Sequence, residues 1–132
     1  MAIQNPYSVP NTSLGTLLTL TAASAGGNSA VQTNSVYRGV SVAVNITAIT
    51  GTSPTLTVTI QGQDPVSGTY YTVLESAALS AAGLTILTVR PGIAASANVA
   101  AAAIMPLYWR ILYAIGGTTP AVTATVGAVM AA

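Results

Sequence analysis

Five side chains carry charge in this sequence, Arg38, Asp64, Glu75, Arg90 and Arg110, and there is no Lys, His or Cys. Asp64 and Glu75 are the only side-chain carboxylates, so a glycosidase-type acid and base pair would need both at one cleft, one of them with a raised pKa. A plainer reading is stronger: Asp64 opens the turn Asp64-Pro65-Val66-Ser67-Gly68, and Glu75 ends a strand. That turn lacks the alternating oxygen ligands a calcium loop requires. Serines and threonines are plentiful, but without an imidazole or an ammonium group no usual base activates them as nucleophiles. Disulfides, thiolate chemistry and Cys/His metal sites are excluded outright. The sequence therefore predicts a protein without catalysis and without a cofactor.

Tyr108-Trp109-Arg110 is the most distinctive cluster. Strand alternation puts Leu107, Trp109, Ile111, Tyr113 and Ile115 on one face and Tyr108, Arg110 and Leu112 on the other. Trp109 is then the large aromatic of a core, since the chain has one Trp and no Phe. The competing reading is an aromatic platform for sugar rings, with Tyr70, Tyr71 and Tyr108 as partners. Beside Tyr108, Arg110 can pair with Asp64 or Glu75, or reach a neighbouring subunit.

The elements that position these residues are strands. Val40, Val42, Val44, Ile46 and Ala48 alternate with Ser41, Ala43, Asn45 and Thr47, and Leu56, Val58 and Ile60 alternate with a threonine row. The turn residues Thr50 to Pro54 predict that these two segments pair as a hairpin. Further strands are expected at Thr16 to Ala22, Thr69 to Glu75, Leu84 to Val89, Leu107 to Ile115 and Ala121 to Val129, the last two joined across Gly116 to Pro120. Ala25 to Ser29 reads as a flexible turn or short linker. Ala94 to Met105 has high helix propensity but a weak helical period, and is expected to be a long connection with at most one helical turn near Asn98 to Ala103. About seven strands at this spacing imply an all-β fold, an antiparallel β-sandwich or barrel. Residues 1–14, with Pro6 and Pro10 and no apolar periodicity, form an extended N-terminal arm; residues 15–132 form a single β-sandwich domain.

Composition narrows the partners. Only 4% of the 132 residues are charged while 52% are hydrophobic, against roughly 25% charged in an ordinary soluble domain. A net charge of +1 from dispersed arginines makes no basic footprint for nucleic acid and no polybasic membrane anchor. The mean hydropathy is +0.66, yet Ile93 to Met105 is closed by Arg90-Pro91-Gly92 and Pro106, and Ala121 to Ala132 is too short to span a bilayer as a helix. Met1 to Tyr7 lacks the basic and apolar regions of a secretory signal. With so little charge to oppose association, uncharged surfaces of this kind are expected to be covered by other subunits.

The run Gln61-Gly62-Gln63-Asp64-Pro65-Val66-Ser67-Gly68-Thr69-Tyr70-Tyr71-Thr72-Val73-Leu74, then Val89-Arg90-Pro91-Gly92 and Met105-Pro106-Leu107-Tyr108-Trp109-Arg110, resembles small virion structural proteins of tailed bacteriophages. The resemblance runs from about Val36 to Val129 and leaves the arm outside. It implies a place in a virion, among β-structured accessory proteins often of the capsid-decoration kind. Taken with the scarcity of charge, the expectation is a capsid decoration or cement protein on the capsid surface, bridging capsomers through contacts with the major capsid protein or other virion subunits. Self-association is expected as well, a trimer being one form of it, because so few charges oppose it. A carbohydrate-binding or adhesive module and a head-tail or tail component are the alternatives. Pro6, Tyr7 and Pro10 of the arm, with Tyr108 and Arg110, are the candidate partner-binding residues.

Overall fold

A computed structural model of the chain describes residues 15–34 and 36–131; the expected arm, with Pro6, Tyr7 and Pro10, lies outside them. The described residues form eight strands and no helix: β1 Thr16–Ala23, β2 Gly27–Asn28, β3 Gln32–Thr33, β4 Gly39–Gln63, β5 Tyr70–Glu75, β6 Gly83–Val89, β7 Ala100–Ala101 and β8 Tyr108–Ala131. All belong to one mixed sheet in the order β1-β8-β4-β6-β7, with β2 and β3 also on β8 and β5 also on β4. The all-β expectation holds, with eight strands in place of about seven.

Two long strands carry the sheet. β4 and β8 are antiparallel from Gly39 opposite Ala131 to Gln63 opposite Tyr108. Their pairing divides into a first ladder, Gly39 to Thr50 against Ala121 to Ala131, and a second, Thr55 to Gln63 against Tyr108 to Gly116. The expected hairpin between Arg38–Ile49 and Thr55–Gln61 does not form. From Gly39 onward both segments belong to β4, and each pairs with its own half of β8. The Gly116–Pro120 connection is likewise inside a strand.

What looked like two turns is one double corner. Register shifts flank Thr52, which lies opposite Thr118. On both strands the positions either side of that threonine have positive φ: Gly51 at 123° and Ser53 at 49°, Gly117 at 106° and Thr119 at 45°. Pro54 and Pro120 follow, residues that donate nothing to a ladder and are tolerated where its pairing is irregular. The glycines also permit close approach. A Cβ on Gly51 would stand 2.8 Å from the Thr119 carbonyl oxygen, and one on Gly117 would stand 2.7 Å from that of Ser53. Shifts of this kind bend a strand and increase its twist while pairing resumes beyond them.

Alternation then sorts the side chains. In the first ladder Val40, Val42, Val44 and Ile46 lie opposite Met130, Ala128, Val126 and Ala124, and all eight are buried. Ala48, expected on that same face, is exposed, because the register shift between Ile46 and Ala48 interrupts the alternation. In the second ladder Leu56, Val58 and Ile60 join Trp109 and Ile111 in full burial. Side chains from both ladders make one hydrophobic cluster, completed by Leu20, Leu74, Leu87, Val89 and Met105.

The two least regular segments also differ from expectation. Ala25 to Ser29 is packed rather than a loose linker: β2 pairs with Leu112 and Tyr113, and the Ser29 hydroxyl accepts from the Ile111 amide at 2.9 Å. Ala94 to Met105 contains no helical turn. Asn98, at φ 64°, closes a tight turn in which the Ser96 and Ala100 amides donate to each other's carbonyls at 3.0 and 2.9 Å. Ala100 and Ala101 then pair parallel to β6, so a sheet edge overrides the helix propensity of the alanines.

Two stability measurements test this architecture. Trp109→Ala, at a position with no solvent exposure, is expected to lower the unfolding free energy by about 3–5 kcal/mol in denaturant titration. Gly51→Ala and Gly117→Ala are each expected to lower it by more than about 1 kcal/mol, since both put a Cβ on a positive-φ residue against backbone. A loss confined to one of the two glycines would show that the corner is not shared by both strands.

Candidate partner-binding face

The side of the second ladder turned away from the core is polar. Cross-strand pairing builds it in two rows: Thr72, Gln61 and Arg110 in one, and Tyr70, Gln63, Tyr108 and Thr33 in the next. Residues in register point to the same side of a sheet, so these side chains share one face. Trp109, one position from Tyr108 and Arg110, points to the other side and is fully buried. The alternation read from the sequence places all three residues correctly.

Arg110 is fixed by two contacts. Its Nε donates to Gln61 Oε1 at 2.9 Å, and its guanidinium carbon lies 3.6 Å from the centroid of the Tyr70 ring. The first contact sets the edge of the guanidinium and the second sets its plane, a cation–π arrangement. Neither carboxylate considered for it is its partner: among the described residues Arg110 has no ion pair. Among the described residues its terminal nitrogens have no hydrogen-bond partner.

Asp64 is occupied elsewhere. Its Oδ1 accepts from the Val66 amide at 2.9 Å and its Oδ2 from the Ser67 hydroxyl at 2.7 Å. The Gly68 amide closes the turn on the Asp64 carbonyl at 2.8 Å. The Val66 amide first, and the Ser67 hydroxyl second, hold the Asp64 carboxyl below its ordinary pKa of 3.8. Glu75 ends β5, and its carbonyl accepts from Asn98 Nδ2 at 3.1 Å. No group of three His, Cys, Asp or Glu that could hold a metal ion exists among the described residues.

The three tyrosines considered as a sugar platform do not share a face. Tyr70 and Tyr108 flank Gln63 on the polar side, whereas Tyr71 pairs with Gly62, opposite Trp109, and so points to the core side at its rim. One face of the Tyr70 ring is already covered by Arg110. Gln61 is the member of the site that sequence reasoning missed. The available signal was its strand register, since Gln61 and Arg110 become neighbours only once β4 is paired with β8 rather than with itself.

No family model matches the chain, and neither a curated protein nor a solved structure matches it. The polar face is therefore read from its chemistry alone: a positioned guanidinium, two carboxamides and two phenols.

The Asp64 turn yields a pH prediction. A carboxyl whose pKa is lower folded than unfolded contributes stability above its unfolded pKa and loses it as pH falls through the folded value. Thermal unfolding followed by circular dichroism is expected to show a small loss of stability on acidification below about pH 4, and Asp64→Asn is expected to remove that component. The carboxyl is solvent-exposed, so the effect is small. An acid loss of the same size in Asp64→Asn would place its origin elsewhere.

Proposed function

We propose that this chain is a noncatalytic virion structural protein, a capsid decoration or cement subunit that meets the major capsid protein or another virion subunit through the Tyr108–Arg110 face. The observation that carries this reading is Arg110, held by Gln61 and Tyr70 at 2.9 and 3.6 Å with no ion pair among the described residues. A guanidinium ordered before binding loses little further freedom when it docks, which favours affinity. The placement in a virion rests on the sequence resemblance. What supports an assembly role is the near absence of charge, 4% of residues, on a protein with exposed apolar groups such as Leu84, Ile86 and Val129.

In this reading the two ladders form the facing layers of a β-sandwich. Support comes from full burial of Val42, Val44, Val58, Ile60 and Trp109 in one cluster, with no helix among the described residues to cover either ladder. The corner at Thr52 and Thr118 is then the fold between layers. Residues 1–14 serve as a clamp on a neighbouring subunit, adding backbone hydrogen bonds to the docked face. An adhesive module is the second reading, favoured by Tyr70 and Tyr108 lying in one row and weakened by the cover of Arg110 on Tyr70.

Co-sedimentation with virions stripped of the chain tests the proposal. Arg110→Ala is expected to lower occupancy with the unfolding midpoint unchanged, and Arg110→Lys is expected not to restore it, because an ammonium neither forks nor stacks as a guanidinium does. With one charge at the contact, occupancy should change little between low and high salt. Full occupancy by Arg110→Ala, or a steep loss with salt, would overturn this binding mode; failure to bind virions together with glycan binding lost in Tyr108→Ala would favour the adhesive module.

A further inference from the structure

The side of the first ladder turned away from the core carries a second surface, and it contains no charged residue. Across β1, β8, β4 and β6 its central row is Thr16, Gly127, Ala43 and Ile86; the row on one side is Thr19, Thr125, Asn45 and Leu84, and on the other Val129, Ser41 and Thr88. The arginines Arg38 and Arg90 lie beyond its Val40 end. Gly127 and Ala43 form the floor of an open groove of about 340 Å³, walled by Thr16, Thr125, Ser41 and Val129. Two strands from Gly127, β6 raises a ridge: Leu84 is 64% and Ile86 41% exposed.

Groove and ridge are arranged for a copy of themselves. A two-fold axis lying in the face and running along β4 exchanges the positions of β6 and β8 while preserving position along the strands. Ile86 shares its row with Gly127, so that operation sets each Ile86 over the partner's groove floor at Gly127. Leu84 falls in the same way on the row of Thr125, and Ala43 comes opposite its own counterpart. A face that supplies both knob and hole, on either side of one line, is the requirement for an isologous contact. It also carries no charge that a like copy would have to desolvate or repel.

We infer that this chain forms a two-fold dimer through the uncharged face of β1, β8, β4 and β6, with the Ile86 and Leu84 ridge of each copy seated in the Gly127 groove of the other. The inference specifies the self-association within the assembly role proposed above and uses a face separate from that of Arg110. It also selects a two-fold pair over a three-fold ring, since a ring requires two different surfaces to meet.

Sedimentation velocity and cross-linking of the full chain test it. The wild-type chain should sediment as a dimer, and Ile86→Arg should raise the dissociation constant at least about 30-fold, the size of a hot-spot loss. Val66→Arg, on an exposed turn, should leave it unchanged. Because the sequence has no Cys, Ala43→Cys introduces a single thiol beside the axis, and a short bis-maleimide should join two copies there; this arm stands even if Ile86→Arg does not fold. A wild-type chain that stays monomeric, a dimer indifferent to Ile86→Arg, or Ala43→Cys that is not joined would each overturn the inference. A monomer would also be the outcome if residues 1–14 of the same chain fill the groove. Virion occupancy separates the two claims: loss only in Arg110→Ala leaves the dimer standing, and a monomer that still binds leaves the assembly role standing.

Discussion

β4 and β8 remain paired along almost their whole length, and every other strand pairs with one of them or, in the case of β7, with β6. A chain with five charged side chains has little besides backbone pairing and apolar burial to specify its structure. The β4–β8 register supplies both. It satisfies alternate amides and carbonyls of the two longest strands, while the others bond to flanking segments, as Leu56 does to Leu79 and Ile111 to Ser29, and it sets which side of each ladder is buried. A slip of one residue would turn Val40, Val42, Val44 and Ile46 outward together. The corner at Thr52 and Thr118 lets this one pairing run through both ladders. Because the bend occurs in both strands at once, neither loses its partner for more than a few residues.

Both outward faces follow from the same register. In the second ladder it brings Tyr108 and Arg110 beside Gln61 and Gln63, to which the β4–β5 pairing adds Tyr70. In the first it gathers small and uncharged residues around Gly127 and Ala43. The interior is conventional by comparison, with buried polar groups satisfied. Among the described residues no buried side-chain nitrogen or oxygen lacks a partner. The buried Ser76, for example, accepts from the Val58 amide at 2.9 Å and donates to the Ala77 carbonyl at 2.8 Å. Function is therefore sought at the surface, where one face presents a single ordered cation and the other presents no charge.

Much of this was legible before any pairing was known. Alternation located the strand segments and assigned Val42, Val58, Trp109 and Ile111 to the core, because the period of two is a local property. Pairing is not local, and there the sequence misled. Gly51-Thr52-Ser53-Pro54 has the composition of a hairpin turn, and so has Gly117-Thr118-Thr119-Pro120. The informative signal was that the two tetrapeptides are nearly the same: one motif placed twice, at the positions where two antiparallel strands would cross. Hairpin turns need not match each other, whereas the two sides of a shared corner meet the same steric demand. The polar site was half legible for the same reason. Tyr108 and Arg110 were identified by alternation within one strand, while Gln61 and the stacking of Tyr70 required the register between strands.

In the proposed role this chain works by surface contact in an assembled particle, with Arg110 at the contact. A cryo-EM map of the native virion carrying the chain, at a resolution that separates strands, tests this most directly. The account predicts β-sheet density on the capsid surface with the Tyr108–Arg110 face against a neighbouring subunit and the Arg110 guanidinium on an acceptor of that subunit. A map in which the chain is absent from the particle, or in which that face is turned to solvent, would contradict it.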